Sequence, residues 1–143
     1  MIRCVPSAAL PSIPETLPAA PDPRPRVSAI VLNRDGADHL RQLFESLLPE
    51  VAGWMAEIIV IDHGSRDASL AVCESWSDRL PLSWVAFGRN HSFSWSNNRA
   101  AERARGDYLL LLNNDIRFAD NPLPAMLAAA RATGGVVGVG QQH

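Results

Sequence analysis

The residues best suited to chemistry are Asn113, Asn114 and Asp115, which directly follow the apolar run Tyr108–Leu112. A carboxylate with neighbouring amide oxygens suits a hard cation such as Mg²⁺ or Mn²⁺. Proteins usually hold such ions with one or two carboxylates together with the phosphates of a substrate. The segment therefore indicates a divalent cation and a nucleoside diphosphate or similar ligand. The alternative is an asparagine-rich turn that caps the strand.

Three further polar segments also follow apolar runs, at residues 33–36, 62–67 and 88–98. They are rich in Asn, Asp, Gly and Ser. In an open parallel sheet, ligands bind beyond the carboxyl ends of the strands. Each segment alone also fits a turn or a helix cap. Four such segments at one edge of a sheet favour a binding site there.

Five short apolar runs are predicted to form the strands that position these segments. They are Val27–Leu32, Ile58–Ile61, Leu82–Phe87, Tyr108–Leu112 and Val136–Val139. The second and the fourth run are continuously apolar. That pattern predicts strands that are covered on both faces, as in a parallel sheet.

Helical patterns fill the intervals between these runs. The first helix carries the apolar stripe of an amphipathic helix, formed by Leu40, Leu43, Phe44, Leu47 and Leu48. Pro49 is expected to end it. Ser65 and Ser94 are predicted to cap a second and a third helix, and the third is expected to stop at Gly106. A fourth helix opens at Asn121-Pro122. Strands that alternate with helices in this way predict a layered α/β domain.

The composition narrows the class of protein. The 143 residues suit one domain, and the 47% hydrophobic content excludes disorder throughout. The net charge of −2 argues against a general nucleic-acid binder, and no apolar run has the length of a membrane span. Residues 1–26 hold 7 of the 11 prolines and are predicted to be a disordered tail. Cys4 and Cys73 predict free thiols in a reducing compartment.

Several common site motifs are absent from the sequence. There is no Gly-x-Gly-x-x-Gly after the first strand and no Gly-x-x-x-x-Gly-Lys, which disfavours a dinucleotide cofactor and excludes a P-loop. The four histidines lack the spacing of a metal site. A receiver-like phosphotransfer domain would use Asp62 together with a lysine, and all 13 basic residues of this chain are arginine.

Four sequence blocks follow one another in a fixed order. They are Val27–Asn33, Asp62-x-Gly64-Ser65-x-Asp67 after Ile58–Ile61, Asn90-x-x-Phe93-x-x-x-Asn97-Asn98-Arg99, and Gly106–Asp115. Together they resemble the family 2 glycosyltransferases of the GT-A fold, from about Val27 to Gly140. The resemblance implies a Rossmann-like, three-layer α/β/α domain with a mostly parallel sheet that binds a nucleotide-sugar.

The resemblance also implies roles for individual residues. Those placed at the nucleotide-sugar site are Asn33, Asp62, Asn97, Asn113 and Asn114. Asp62 matches the aspartate that contacts a pyrimidine base, and the expected donor is a UDP- or dTDP-sugar. Asp115 matches the last residue of the Asp-x-Asp motif, the ligand of the Mg²⁺ or Mn²⁺ that holds the diphosphate. The implied reaction transfers the sugar, with inversion, to a hydroxyl of a saccharide, lipid or protein acceptor.

Some positions depart from the family's pattern. His63 replaces the asparagine of Asp-Asn-Gly-Ser, and Asn113 replaces an acid. Ser92 and Ser96 replace small residues of the third block. Trp95 lies between them and is expected to pack in the core rather than to stack on a ligand.

The end of the chain leads to a further set of expectations. In the family, the acceptor site and the general base belong to a segment that would follow Gly140. No catalytic base is therefore identified, and residues 27–143 are expected to form a partial, truncated GT-A domain. The alternative is a non-catalytic nucleotide-binding module. A strand at Val136–Val139 near the end of the chain predicts exposed apolar surface and self-association. The expected location is cytoplasmic, with peripheral attachment at the inner face of a membrane as the alternative.

Overall fold

The structure is a computed structural model that describes residues 25–138, except for the side chains of residues 48–52. Its sheet has four parallel strands: β1 (Val27–Asn33), β2 (Met55–Asp62), β3 (Leu82–Ala86) and β4 (Tyr108–Asn113). Their order across the sheet is β3-β2-β1-β4. β1 and β2 are almost wholly buried, as expected for central strands of a parallel sheet.

Four helices cover the two faces of this sheet: α1 (Ala37–Trp54), α2 (Ser69–Trp76), α3 (Phe93–Ala101) and α4 (Leu123–Thr133). The larger core joins α1, α2 and α4 to one face of the sheet, and the smaller core joins α3 to the other. The prediction of three layers, α/β/α, is confirmed. None of the helices within residues 25–138 has the length and apolar character needed to span a bilayer.

The larger core is built from the inward face of α1 and alternate residues of the strands. Leu40, Leu43 and Phe44 are fully buried, as the helical stripe predicts. The rings of Phe44 and Trp76 lie 5.9 Å apart at a tilt of 52°, so α1 also packs on α2. Each fully buried side chain of this size contributes about 1.5–3 kcal/mol to folding, which anchors the strand ends that carry the polar segments.

The order of the strands reverses between β1 and β4. The first two crossovers move the chain outward from β1 to β2 and β3, and α3 then returns it to β4 on the other side of β1. Ligands of open α/β sheets bind at such a switch point, beyond the carboxyl ends of the strands. The fold therefore directs attention to the ends of β1 and β4.

Two predictions were wrong: that β4 is covered on both faces, and that a fifth strand forms near the end of the chain. Leu109 and Leu111 are each 49% exposed, because β4 is an edge strand and no helix in the described part covers its second face. Residues 136–138 form no strand, and Val136 is fully exposed. A strand needs a neighbour for its backbone hydrogen bonds, and the described sheet pairs none with this segment. Residues 139–143 lie outside the described residues.

Four predicted helix boundaries were also wrong, three of them in α1 and α3. α1 continues through Pro49 to Trp54. The proline removes one backbone hydrogen-bond donor from the helix, and the packing of Trp54 against the core outweighs this loss. The cap of α3 is Ser92, whose hydroxyl accepts from the Trp95 amide at 3.3 Å, and not Ser94. α3 ends at Ala101 rather than near Gly106.

Polar contacts account for the early end of α3 and for the fourth difference, at the start of α2. The amide of Arg105 donates to the buried carboxylate of Glu57 at 2.5 Å. Arg105 therefore lies outside the helix, four residues after the end of α3 at Ala101. Ser65 does not cap α2, which begins at Ser69, because the Ser65 hydroxyl bonds to Asp62. Gly134 closes α4 as predicted, in the left-handed conformation with φ 63°.

The predicted tail at residues 1–26 falls outside the described residues except for its last two. Arg26 is already tied to the domain: its backbone amide donates to Asp107 at 2.8 Å, and its guanidinium donates to the carbonyl of Met55 at 2.7 Å. These contacts fix the beginning of β1 beside β2 and β4.

Candidate functional site

The carboxyl ends of β2, β1 and β4 are joined by one chain of side-chain hydrogen bonds. The amide nitrogen of Asn33 donates to Oδ1 of Asp62 at 2.9 Å. The amide nitrogen of Asn114 donates to Oδ1 of Asn33 at 2.7 Å. Because Asn33 ends β1, the second bond spans the switch point of the sheet. Three of the predicted site residues therefore lie together where the fold favours a ligand.

Asp62 is the most enclosed member of this chain. Only 1% of the residue is exposed. Its Oδ1 accepts from Asn33 and from the Ser65 hydroxyl, and its Oδ2 accepts from the Ser65 amide at 2.9 Å. A buried carboxylate is costly unless such donors satisfy it. Asp62 thus organises the end of β2 before any ligand binds.

The loops after β1 and β2 are bonded to each other. The amide of Asp35 donates to the Ser65 hydroxyl at 2.8 Å, and the amide of Arg66 donates to the Asp35 carboxylate at 2.6 Å. Asp35 has a positive φ of 48°, an uncommon conformation that aspartate tolerates better than most residues. The two loops consequently form one surface.

The same loops cap the start of α1. The amide of Ala37 donates to the Asp67 carboxylate at 2.8 Å, and the amide of Gly36 donates to the Ser69 hydroxyl at 3.3 Å. These bonds satisfy amides that have no partner within the helix. Burial raises the pKa of Asp67, but the bonds from Ser69 and Ala37 outweigh it and hold the pKa below its usual value.

Gly36 allows the asparagine pair to form. A Cβ at this position would lie 2.2 Å from Nδ2 of Asn114 and 2.6 Å from Oδ1 of Asn33. Both distances are far inside van der Waals contact, so a side chain here would displace the atoms that bond across the switch point. The requirement for glycine comes from this close approach, not from its backbone conformation.

The β4 end of the site is more open. Asn113 and Asp115 are exposed, and within residues 25–138 no side-chain hydrogen bond or ion pair is found for Asp115. The described part of the chain contains no group of three or more His, Cys, Asp or Glu residues that could hold a metal alone. One free carboxylate with amide oxygens beside it fits a hard cation that a ligand's phosphates also hold.

Asn97 lies apart from this chain of bonds. It is on α3, at the other face of the sheet, and is 7% exposed. Its amide nitrogen donates to the carbonyl of Phe93 at 2.9 Å, one turn earlier in the same helix. Its neighbour Ser96 connects α3 to the end of β2, because the Ser96 hydroxyl lies 2.8 Å from Nε2 of His63.

Trp95 is part of an aromatic cluster rather than of the larger core. It stacks on His91 with a ring separation of 4.0 Å and an angle of 15°, and its ring lies 5.2 Å from that of Phe87. The expectation that Trp95 packs internally is met in part, since it is half-buried.

Sequence reasoning missed the roles of several residues. The sequence predicts that Ser65 caps a helix, and it assigns no structural role to Asp35 or His63. The signal for Ser65 was present, because a serine three residues after Asp62 suits a local side-chain-to-backbone turn. The bond between His63 and Ser96 joins residues 33 positions apart and leaves no local sequence signal.

Comparison with known proteins identifies the family. The sequence model described as "Glycosyl transferase family 2" matches residues 28–143. The O-antigen biosynthesis protein RfbC of Myxococcus xanthus is 37% identical over 101 residues, covering 67% of this chain and 8% of RfbC. The succinoglycan biosynthesis protein ExoO of Rhizobium meliloti (strain 1021) is 30% identical over 123 residues, covering 85% of this chain and 34% of ExoO.

Solved structures show the same fold. A mannosyltransferase from Pyrobaculum calidifontis in complex with GDP-Man and Mn²⁺ has a TM-score of 0.63 at 23% identity, over 78% of this chain and 33% of that one. S. aureus TarS 1-349 in complex with UDP-GlcNAc has a TM-score of 0.65 at 21% identity, over 82% of this chain and 37% of that one. These likenesses show the GT-A fold.

The six curated relatives are longer than the matched region, since this chain spans between 8% and 34% of their lengths. The matching family model, the four motif blocks in order and the parallel GT-A sheet agree with one another. The chain belongs to glycosyl transferase family 2.

Proposed function

We propose that this chain binds the nucleotide-sugar donor of an inverting glycosyl transfer at the ends of β1, β2 and β4. The observation that carries the proposal is the bonded chain Asn114–Asn33–Asp62 across the switch point, with the free carboxylate of Asp115 beside it. The first three residues shape the floor of the site, and Asp115 faces outward. A diphosphate bound here would complete a cation site that the protein alone does not build.

Asp115 is the proposed protein ligand of a Mg²⁺ or Mn²⁺ ion, with the amides of Asn113 and Asn114 beside it. When bound, such an ion stabilises the negative charge that develops on the leaving diphosphate. The residues of the chain hold the donor so that this charge forms next to Asp115. Mn²⁺ in the complex of the mannosyltransferase neighbour supports a divalent ion without choosing between the two metals.

Asp62 is proposed to contact the base of a UDP- or dTDP-sugar, as the family resemblance implies. Its carboxylate already accepts three hydrogen bonds. A contact with the base therefore requires that Asp62 accept a further bond or that Ser65 move. Asn97 is proposed to line the donor pocket from α3. The neighbours' complexes contain GDP-Man, UDP-GlcNAc and UDP, so a purine donor must be included in any test.

A panel of nucleotides tests the proposal directly. Thermal unfolding is measured with UDP, dTDP, GDP and CDP, each with and without Mn²⁺. A ligand at 100 times its dissociation constant adds about 2.7 kcal/mol of stability. Stabilisation that needs both Mn²⁺ and a diphosphate, and that the matching nucleoside alone does not give, supports the proposal. No stabilisation by any of the four nucleotides contradicts it.

The names of the O-antigen and succinoglycan biosynthesis relatives support a saccharide among the three predicted acceptor classes.

A second candidate function, a nucleotide-binding module without transfer, is favoured by one observation. Asp35, Asp62 and Asp67 all accept hydrogen bonds at the site, which leaves none of these three as a free base. Transfer of radiolabelled sugar by the purified chain distinguishes the two candidates.

Two further proposals concern location and association. Cys73 is a free, buried thiol, which supports a cytoplasmic location because reducing compartments keep thiols unpaired. Burial raises the pKa of this thiol to about 12, so it is chemically inert. The exposed Leu109 and Leu111 on the edge strand β4 support the predicted self-association.

A further inference from the structure

His63 occupies the point where three elements of the site meet. It directly follows Asp62, and its backbone amide donates to the carbonyl of Asn33 at 2.9 Å. Its ring nitrogen Nε2 lies 2.8 Å from the hydroxyl of Ser96. The residue is 8% exposed, so the ring faces the protein and not the solvent. One residue thus connects the ends of β1 and β2 with the helix that carries Asn97: its backbone amide bonds to β1 and its ring to α3.

The segment between β3 and α3 is held to the same point. The ring of His91 lies 6.4 Å from that of His63, edge to face, and stacks on Trp95 at 4.0 Å. Phe87, at the start of the segment, contacts His91 with its ring 5.0 Å away, and its amide donates to the carbonyl of Asp62 at 2.8 Å. The segment therefore rests on His63 from one side and on α3 from the other.

We propose that His63 is a positioning residue: it fixes α3 and the preceding segment against the end of β2, and thereby sets the affinity of the chain for a nucleoside diphosphate. This rests on the proposed function, since the site served is the donor site. The position departs from the family's asparagine, whose shorter amide places its polar atoms nearer the backbone than Nε2. Because the ring is enclosed, its effect on the ligand passes through Ser96 and its neighbours.

The environment of His63 favours a neutral ring. Burial lowers the pKa of His63; a hydrogen bond with Asn90 and the charge of Asp62 act in the opposite direction, and the charges of His91 and Arg34 lower it further. Asp62 is the nearby carboxylate, and it already accepts three hydrogen bonds. A proton added to the ring would place a poorly solvated cation beside His91 and Arg34. Nucleotide affinity should consequently fall as the solution becomes acidic.

The test compares His63→Ala, His63→Gln, Ser96→Ala and the double variant His63→Ala/Ser96→Ala. Calorimetry measures the dissociation constants of UDP, dTDP, GDP and CDP with Mn²⁺ from pH 5 to pH 8, and thermal unfolding is followed in parallel. His39→Ala is the matched control, because His39 is an exposed histidine on α1 away from these contacts. His63→Gln keeps a side chain that hydrogen-bonds but does not titrate in this range, so it also corrects for titration of the nucleotide.

His63→Ala is expected to weaken binding of the best nucleotide about tenfold, the effect of about 1.4 kcal/mol of lost positioning. Ser96→Ala should weaken binding by a smaller factor, and the double variant should be no worse than His63→Ala, since both remove the same bond. His63→Gln should restore most of the affinity at pH 7 and lose the parent's decline toward pH 5. His39→Ala should match the parent.

Other outcomes overturn the proposal. If the parent binds nucleotide and His63→Gln shows the parent's pH profile, with Ser96→Ala unchanged in affinity, the positioning role is wrong while the proposed function stands. The same holds if the effects of His63→Ala and Ser96→Ala simply add. If the parent binds none of the four nucleotides, the donor site and its positioning residue are both rejected. Should His63→Ala fail to fold, the glutamine and serine variants decide.

Discussion

The two sides of the candidate site differ in how completely they are built. On the β1–β2 side (residues 33–36 and 62–69), polar side chains bond to one another and to backbone amides, and the buried Asp62 alone accepts three bonds. On the β4 side (residues 113–115), Asn114 is bonded, whereas Asn113 and Asp115 are exposed. Both sides follow strands of one sheet and contain the same types of residue.

The difference suggests that the β1–β2 side holds the fold in place, whereas the β4 side is available to bind a ligand. Polar groups that bond to each other are held in place and need no ligand. A carboxylate that faces solvent gains its partner only when a cation and its phosphates arrive. The β1–β2 side should therefore contribute to the stability of the fold, and the β4 side to the binding of the metal. Substitutions on the two sides should separate these quantities.

The largest expected effect is that of Asp62→Ala. It removes the carboxylate that accepts from the buried amide of Asn33 and from both partly buried donors of Ser65, and the Asn33 amide keeps only the Ser65 hydroxyl, at 3.2 Å. Hydrogen bonds to a charged group contribute about 1.5–3 kcal/mol each, and water compensates part of the loss at Ser65, so the unfolding free energy should fall by about 3 kcal/mol. Urea denaturation measures this. Asp115→Ala is the matched control, and a loss below about 0.5 kcal/mol for Asp62→Ala would contradict the supporting role.

Asp115→Ala should have the opposite profile. The exposed carboxylate contributes little to the fold, so the unfolding free energy without ligand should change by less than about 0.5 kcal/mol. The additional stability given by a nucleoside diphosphate with Mn²⁺, about 2.7 kcal/mol at 100 times the dissociation constant, should be lost. Thermal unfolding with and without Mn²⁺ measures both quantities. Undiminished dependence on Mn²⁺ would show that another group binds the metal.

The same contrast explains what the sequence could predict. The ends of β1, β2 and β4 were predictable because apolar runs of strand length followed by Asn and Asp mark the carboxyl ends of strands in a parallel sheet. The proximity of Asn33, Asp62 and Asn114 followed from the shared edge of the sheet. The exposure of Asp115 also fits its position beyond an edge strand.

The remaining features depend on contacts between distant segments. The continuation of α1 through Pro49 depends on packing beyond the proline, which outweighs the local preference. The bond between Asp35 and Ser65 joins two loops, and the bond between His63 and Ser96 joins the end of β2 to α3. Each pair is 30 or more positions apart, so no local pattern predicts it. The exposed face of β4 follows from its place in the strand order, which the apolar pattern does not encode.

Gly36→Ala tests the connection between the two sides. The added Cβ meets Nδ2 of Asn114 and Oδ1 of Asn33 and must separate them. Overpacking of this kind costs about 1–3 kcal/mol, and we expect about 1 kcal/mol in unfolding free energy because Asn114 lies at the edge and can move. The affinity for a nucleotide with Mn²⁺ should also fall. Gly88→Ala is the control, because no atom lies within 4 Å of the corresponding Cβ and its φ is not in the left-handed region. Equal effects of the two substitutions would show that the close approach at Gly36 does not matter for the site.

The smallest expected effect concerns Asp67, whose carboxylate supports the start of α1 from the β2–α2 loop. Burial raises the pKa of Asp67, but the bonds from Ser69 and Ala37 outweigh this effect and hold the pKa below its usual value. A carboxyl with a lowered pKa in the folded state contributes stability above its unfolded pKa, near 3.9, and loses it as the pH falls through the folded value. Asp67→Asn should therefore be less stable than the parent at pH 7, and the difference should shrink below about pH 4. Urea denaturation from pH 7 to pH 3 measures the difference. Asp38→Asn serves as the control, because it removes a charge from the same helix end at a side chain that is 86% exposed. A difference that does not change with pH would show that the ionised carboxylate of Asp67 is not what supports the start of α1.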